Sequence, residues 1–214
     1  MQRKSILFLH GFASSSQGIK GRFLRDRFAA VAQVDFHGLD FNPTPRDFEY
    51  TTITGMINRL RQVVLERDLK DVRLVGSSLG SLVGLHYAHR FGEVVKMLLL
   101  APVLRYPVGE WNGEQYRRWQ EAGTAPTFHH AFETDVPLRY DFHADGLRYQ
   151  TPIPPPVPTV IVHGQEDEVV PIAGSREYAD AFPDRVELIE VDSDHRLNDQ
   201  LSLIWERARG FLLS

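Results

Sequence analysis

The chain has 214 residues, 43% of them hydrophobic and 24% charged, with a formal net charge of −4, which gives one well-buried domain and is too short for two of ordinary size. So slight an acidity leaves no electrostatic footprint for nucleic acid or an anionic membrane surface. Cysteine is absent, which excludes disulfides, thiolate nucleophiles and cysteine-ligated zinc.

The first five residues lead straight into Ile6-Leu7-Phe8-Leu9, too short an apolar run for a signal peptide or a membrane span, so a cytoplasmic protein is expected. That run, closed by Gly11, reads as a strand buried on both faces of a parallel sheet. A polar loop over 13–18 leads to helical spacing over 19–31 (Phe23, Leu24, Phe28, Val31), and 33–36 reads as a second strand. Residues 38–47, with Pro43 and Pro45, are expected to be a surface loop. Thr51 or Thr52 is placed to cap a helix with Ile53, Met56, Ile57, Leu60, Val63 and Val64 on one side.

Residues 72–85, VRLVGSSLGSLVGL, combine an apolar strand, an abrupt turn and a helix opening on small residues. A serine at the tip of such a strained turn needs little bulk two positions before and two after it, because both flanks meet neighbouring backbone. Ser78, between Gly76 and Gly80, satisfies this; Ser77, between Val75 and Leu79, does not. The Leu79 amide then lies at a helix N-terminus, where an oxyanion can be received.

A further strand is expected over 94–101. From 103 to 158 the alternation stops and aromatics accumulate, among them Trp111, Trp119 and Phe128. This reads as an inserted cap whose rings pack a small subdomain, with Trp111, Trp119 and Phe128 as candidates to line an acyl or aromatic substrate pocket. Pro152, Pro154, Pro155, Pro156 and Pro158 make a stiff return to the sheet. A strand over 159–162, a helix over 172–182, a strand over 186–191 and an amphipathic helix over 200–213 complete the pattern. Alternating strands and helices predict a doubly wound α/β fold, a mostly parallel sheet of about six strands, with ligands at the strands' carboxyl ends.

A serine nucleophile demands a histidine base and a group to orient it. Asp167 lies just past one strand and His195 just past the last; Glu166, Glu168, Asp192 and Asp194 compete with Asp167 for the orienting role. His10 and His163 precede glycines and read as loop-holding residues. The pairs His129-His130 and His86/His89, with His143 and Asp145, match no ligand pattern, so neither a metal nor a cofactor is expected.

Three segments resemble the α/β-hydrolase family: Gly76 to Gly80 its G-x-S-x-G elbow, His163 to Pro171 its HG-x-x-D-x-x-VP acid loop, and His10-Gly11-Phe12 its HG turn. The small size and the HGFASSS run look most like the compact YqiA-type bacterial esterases. The resemblance implies Ser78 as nucleophile, His195 as base, Asp167 as its orienter, and the backbone amides of Phe12 and Leu79 as the oxyanion hole. The expected function is therefore a cofactor-free serine hydrolase cleaving a small ester or thioester. Carbon–carbon bond hydrolysis or peptidase chemistry on the same triad is the alternative. A hydrolase fold that only binds a ligand would be marked by a lost triad member or a blocked oxyanion turn, and neither occurs.

Overall fold

The computed structural model describes residues 3–108 and 113–214. Its strands, in chain order, are β1 (Lys4–Leu9), β2 (Val34–Leu39), β3 (Val72–Ser77), β4 (Val94–Leu100), β5 (Thr124–His129), β6 (Thr134–Arg139), β7 (Thr159–Gly164) and β8 (Val186–Val191). Its helices are α1 (Ile19–Ala29), α2 (Pro45–Glu49), α3 (Ile53–Glu66), α4 (Leu79–Arg90), α5 (Gly113–Ala122), α6 (Asp141–Gly146), α7 (Ala173–Ala181) and α8 (Leu201–Leu212). Six strands make one sheet in the order β2-β1-β3-β4-β7-β8, with every neighbouring pair parallel.

The apolar runs are continuous because both faces of the sheet are covered. Alternate residues of one strand go to opposite cores: Leu7 and Leu9 pack with α3 and α4, while Ile6 and Phe8 pack with α1 and α8. Helix α3 buries Ile53, Met56, Ile57, Leu60, Val63 and Val64, each contributing about 1.5–3 kcal/mol relative to exposure. Its N-cap is Thr52, whose side chain accepts from the Gly55 amide.

The chain winds from β1 outward to β2, then crosses back so that β3 lies on β1's other side. The carboxyl ends of β1 and β3 thus flank the topological switch point, where open α/β sheets place their ligands.

Two stretches differ from expectation. Residues 38–47 are not all loop: β2 runs on to Leu39, and α2 starts at Pro45 behind a reciprocal cap between Thr44 and Asp47. Proline fits there because the first helical position has no use for its missing N–H. Between β4 and β7 the cap builds its own elements, α5, the antiparallel ribbon β5-β6 and α6. Several hydrogen bonds tie it to the main body, among them two sets near the start of α3 and the turn after β1. The Asp145 carboxylate accepts the Thr54 amide and hydroxyl, at 2.7 and 2.6 Å, at the start of α3, and the His130 amide donates to the Ala13 carbonyl at 2.9 Å.

Candidate active site

Sterics build the elbow. Ser78 sits between β3 and α4 with φ of 51° and ψ of −120°, a left-handed backbone whose cost is of order 1–3 kcal/mol. Its amide donates to the Leu100 carbonyl at 2.9 Å, and its carbonyl accepts from the amides of Ser81 and Val103 at 2.9 and 3.2 Å. The flanking glycines are obligatory. A Cβ on Gly80 would stand 2.3 Å from the Leu9 carbonyl oxygen, and one on Gly76 2.7 Å from the Ser81 Cα.

Three loops at the carboxyl edge bring Ser78, Asp167 and His195 together. His195 Nε2 is 3.1 Å from Ser78 Oγ, and its Nδ1 is 2.7 Å from Asp167 Oδ2. Asp167 has a wholly buried side chain, whereas that of His195 is 20% exposed. Asp167 Oδ1 accepts the amides of Val169 and Val170 at 2.9 and 2.8 Å. Burial pushes the Asp167 carboxyl up, but hydrogen bonds from His163, His195 and the Val170 amide outweigh burial and hold it well below the usual carboxylate range. Of the competing acids, Asp194 is engaged elsewhere, its carboxylate accepting the amides of Arg196 and Leu197 at 2.8 and 3.2 Å. That turn, with Lys20 Nζ donating to the Arg196 carbonyl at 2.5 Å, holds the loop that carries His195.

The turn after β1 crosses over the serine. A Cβ on Gly11 would lie 3.2 Å from Ser78 Cβ, so only a bare backbone approaches so closely without displacement. The Phe12 ring is held between Phe48 and Phe142, at centroid distances of 5.5 and 5.2 Å. Among the described residues the amides of Phe12 and Leu79 have no hydrogen-bond partner. His10 is neutral and structural: Nδ1 donates to the Gly11 carbonyl at 2.8 Å, Nε2 accepts the Phe41 amide at 3.2 Å, and burial lowers its pKa.

Of the aromatics singled out in the cap, Trp111 lies outside the described residues. Trp119 is buried, its indole N–H donating to the Leu138 carbonyl at 2.9 Å, and it packs α5 against β6. Phe128 is 52% exposed, with its edge on His130. Neither Trp119 nor Phe128 lines the apolar groove that the structure shows. That groove, of about 520 Å³, is lined in part by Val103, Leu104, Val108, Val170, Tyr178 and Phe182. Neither Ser78 nor His195 lines it, but two of its lining residues bond to the site: the Val103 amide donates to the Ser78 carbonyl and the Val170 amide to Asp167 Oδ1.

Sequence reasoning misses the part played by His163. It reads as a loop-holding residue, yet its ring meets the same carboxylate as His195, with Nε2 3.1 Å from Asp167 Oδ2. The H-G-x-x-D spacing is the available signal. Among the described residues no group of three or more His, Asp or Glu is placed to hold a metal. His86 and His129 pack against Tyr149 and Phe132 instead. No helix among them is long and apolar enough to cross a membrane.

The sequence profile of the Uncharacterised protein family (UPF0227) matches residues 5–210. Probable lysophospholipase BODYGUARD 3 of Arabidopsis thaliana is 31% identical over 122 residues, which is 53% of this chain and only 24% of that protein's length. Palmitoyl-protein thioesterase ABHD10, mitochondrial, of Mus musculus is 27% identical over 218 residues, covering 92% of this chain and 71% of that protein. The solved structure of alpha/beta hydrolase domain-containing protein 10 from mouse superposes with a TM-score of 0.77 at 21% identity, covering 100% of this chain and 93% of the other. The fold is the α/β-hydrolase fold.

Proposed function

Because the chain belongs to the Uncharacterised protein family (UPF0227), and the matched span takes in every residue of the site, we propose that it is a serine hydrolase cleaving a small ester or thioester through an acyl-enzyme on Ser78. The observation that carries this reading is the chain of contacts from Asp167 Oδ2 to His195 Nδ1 at 2.7 Å and from His195 Nε2 to Ser78 Oγ at 3.1 Å. Two similar proteins bear names of enzymes that release an acyl group from an ester or thioester, which supports the same reaction class here.

In the acylation step Ser78 Oγ attacks the carbonyl carbon as His195 Nε2 takes its proton. The carbonyl oxygen becomes an oxyanion, and the free amides of Phe12 and Leu79 receive it, the latter at the positive end of α4. His195 then protonates the departing alcohol or thiol. Water repeats the sequence in reverse, leaving a carboxylate product and a free serine. Throughout, Asp167 stays ionised, fixing His195 with its proton on Nδ1 and offsetting the charge of the imidazolium. The stored strain at Ser78 and the packed glycines keep Oγ in place, so little reorganisation is needed at the moment of reaction.

A substrate panel tests the proposal: p-nitrophenyl esters of rising chain length and acyl-CoA thioesters against aromatic ring-cleavage products and a peptide anilide. Turnover of an ester or thioester is expected. Turnover confined to the carbon–carbon or peptide substrates overturns the assigned reaction class while leaving the triad.

A further inference from the structure

Asp167 serves two histidines. Besides His195 it meets His163, whose ring is wholly buried; its Nε2 lies 3.1 Å from Asp167 Oδ2 and 2.9 Å from the Val170 carbonyl oxygen, and its Nδ1 lies 2.8 Å from Ser175 Oγ. A carboxylate and a carbonyl oxygen can only accept, so Nε2 carries a proton. Ser175, on α7 and 1% exposed, then decides the other nitrogen. If Nδ1 also carried a proton, the Ser175 oxygen would accept it and its own hydrogen would be left without an acceptor. Among the described residues Ser175 Oγ has no other hydrogen-bond partner, and a buried hydroxyl left unpaired is costly. The arrangement that satisfies every group is neutral His163 with its proton on Nε2 and Ser175 donating to Nδ1.

We propose that His163, fixed in this tautomer by Ser175, is a positioning residue for the triad, locking the Asp167 carboxylate in the one orientation that serves His195. The inference rests on the triad reading above. Oδ1 takes the two amides of Val169 and Val170, and Oδ2 takes His163 and His195. Three N–H donors and the His163 Nε2–H, shared with the Val170 carbonyl, meet the four lone-pair sites of a carboxylate, so Asp167 has no alternative pose that loses nothing. Without His163 the outer oxygen is held by His195 alone, and the two can drift together away from Ser78.

The tautomer is read directly in wild-type protein labelled with 15N-histidine. Long-range proton–nitrogen spectra are expected to show His163 protonated at Nε2 and bare at Nδ1; a neutral ring protonated at Nδ1, or an imidazolium at neutral pH, overturns the proposal. Kinetics on an ester that the wild type turns over give the second readout. His163→Phe removes the donor and is expected to lower kcat roughly 10- to 100-fold, the range for a hydrogen bond to a charged group, with KM within about twofold. His163→Gln retains a side-chain N–H and is expected to recover part of the loss. Wild-type kcat in a His163→Phe protein with wild-type melting overturns the proposal; should that variant not fold, the wild-type tautomer and His163→Gln decide. A fluorophosphonate that fails to label Ser78 in the wild type strikes the triad reading beneath, whereas a labelled wild type with an unaffected His163→Phe strikes this inference alone.

Discussion

Replacing His129 by phenylalanine is expected to reduce the protein's sensitivity to mild acid. His129 ends β5, where the cap meets the turn that crosses over Ser78. Its side chain is wholly buried and, among the described residues, neither ring nitrogen has a hydrogen-bond partner. The ring stacks on Phe132 at 3.9 Å and meets Phe48 edge-on at 4.7 Å. Burial first, then the neighbouring His10 and His130, lower its pKa from 6.5 to about 4. The unfolded chain therefore takes up a proton as pH falls through 6.5 while the folded chain does not until about 4. Stability from this group is complete above 6.5 and is lost as pH falls towards 4. At 1.36 kcal/mol per pH unit the whole window amounts to about 3 kcal/mol, a large share of a net stability that is typically about 5–15 kcal/mol. His86, on α4, is likewise lowered to about 4 by burial and adds a second loss in the same window. Urea unfolding followed by circular dichroism between pH 7.5 and 4.5 measures the slope. Wild type should lose stability steeply, and His129→Phe, which keeps the ring stack and cannot be protonated, should lose about 3 kcal/mol less over the same range. An equal fall in both proteins refutes the assignment.

Gly80→Ala should cost about 1–3 kcal/mol or more, because its Cβ would meet the Leu9 and His10 carbonyl oxygens at 2.3 and 2.6 Å and neither backbone can yield freely. Gly84→Ala, facing the tip of Leu9 at 3.3 Å, should stay within about 1 kcal/mol of wild type, since alanine also favours the helix; urea midpoints that rank the two equally contradict this. Asp145→Ala strips both hydrogen bonds from Thr54 and should lower stability by about 1–3 kcal/mol while speeding proteolysis between β4 and β7, and unchanged cleavage there tells against the tie. Asp167→Asn should lower kcat about 10⁴-fold by freeing the His195 tautomer; a loss under tenfold on the best ester of the panel would show that Asp167 does not orient His195.

The sheet and the elbow are legible in the sequence because their causes are local. Runs such as Ile6 to Leu9 are apolar at every position since both faces are covered, and Gly76 and Gly80 betray the elbow since any Cβ there meets backbone. Asp167 and His195 are legible as residues just past strands. The cap is not. Its ribbon sets Pro126 opposite Pro137, and prolines argue against a strand unless it is an edge; in a two-stranded ribbon both strands are edges. Helix α2 carries a readable signal, Thr44 three residues before Asp47 with Pro45 between, but Pro43 and Pro45 together suggest loop. The second histidine on Asp167 is hidden for a different reason: spacing shows which residues share a loop and not which nitrogen faces which oxygen.

The central claim is that Ser78 is an activated nucleophile, and a fluorophosphonate probe tests it most directly. Wild-type protein should take up one adduct, mapped by mass spectrometry to Ser78, with labelling slowed severely in His195→Gln and abolished in Ser78→Ala. An adduct on another residue, or equal labelling of Ser78→Ala, contradicts the account.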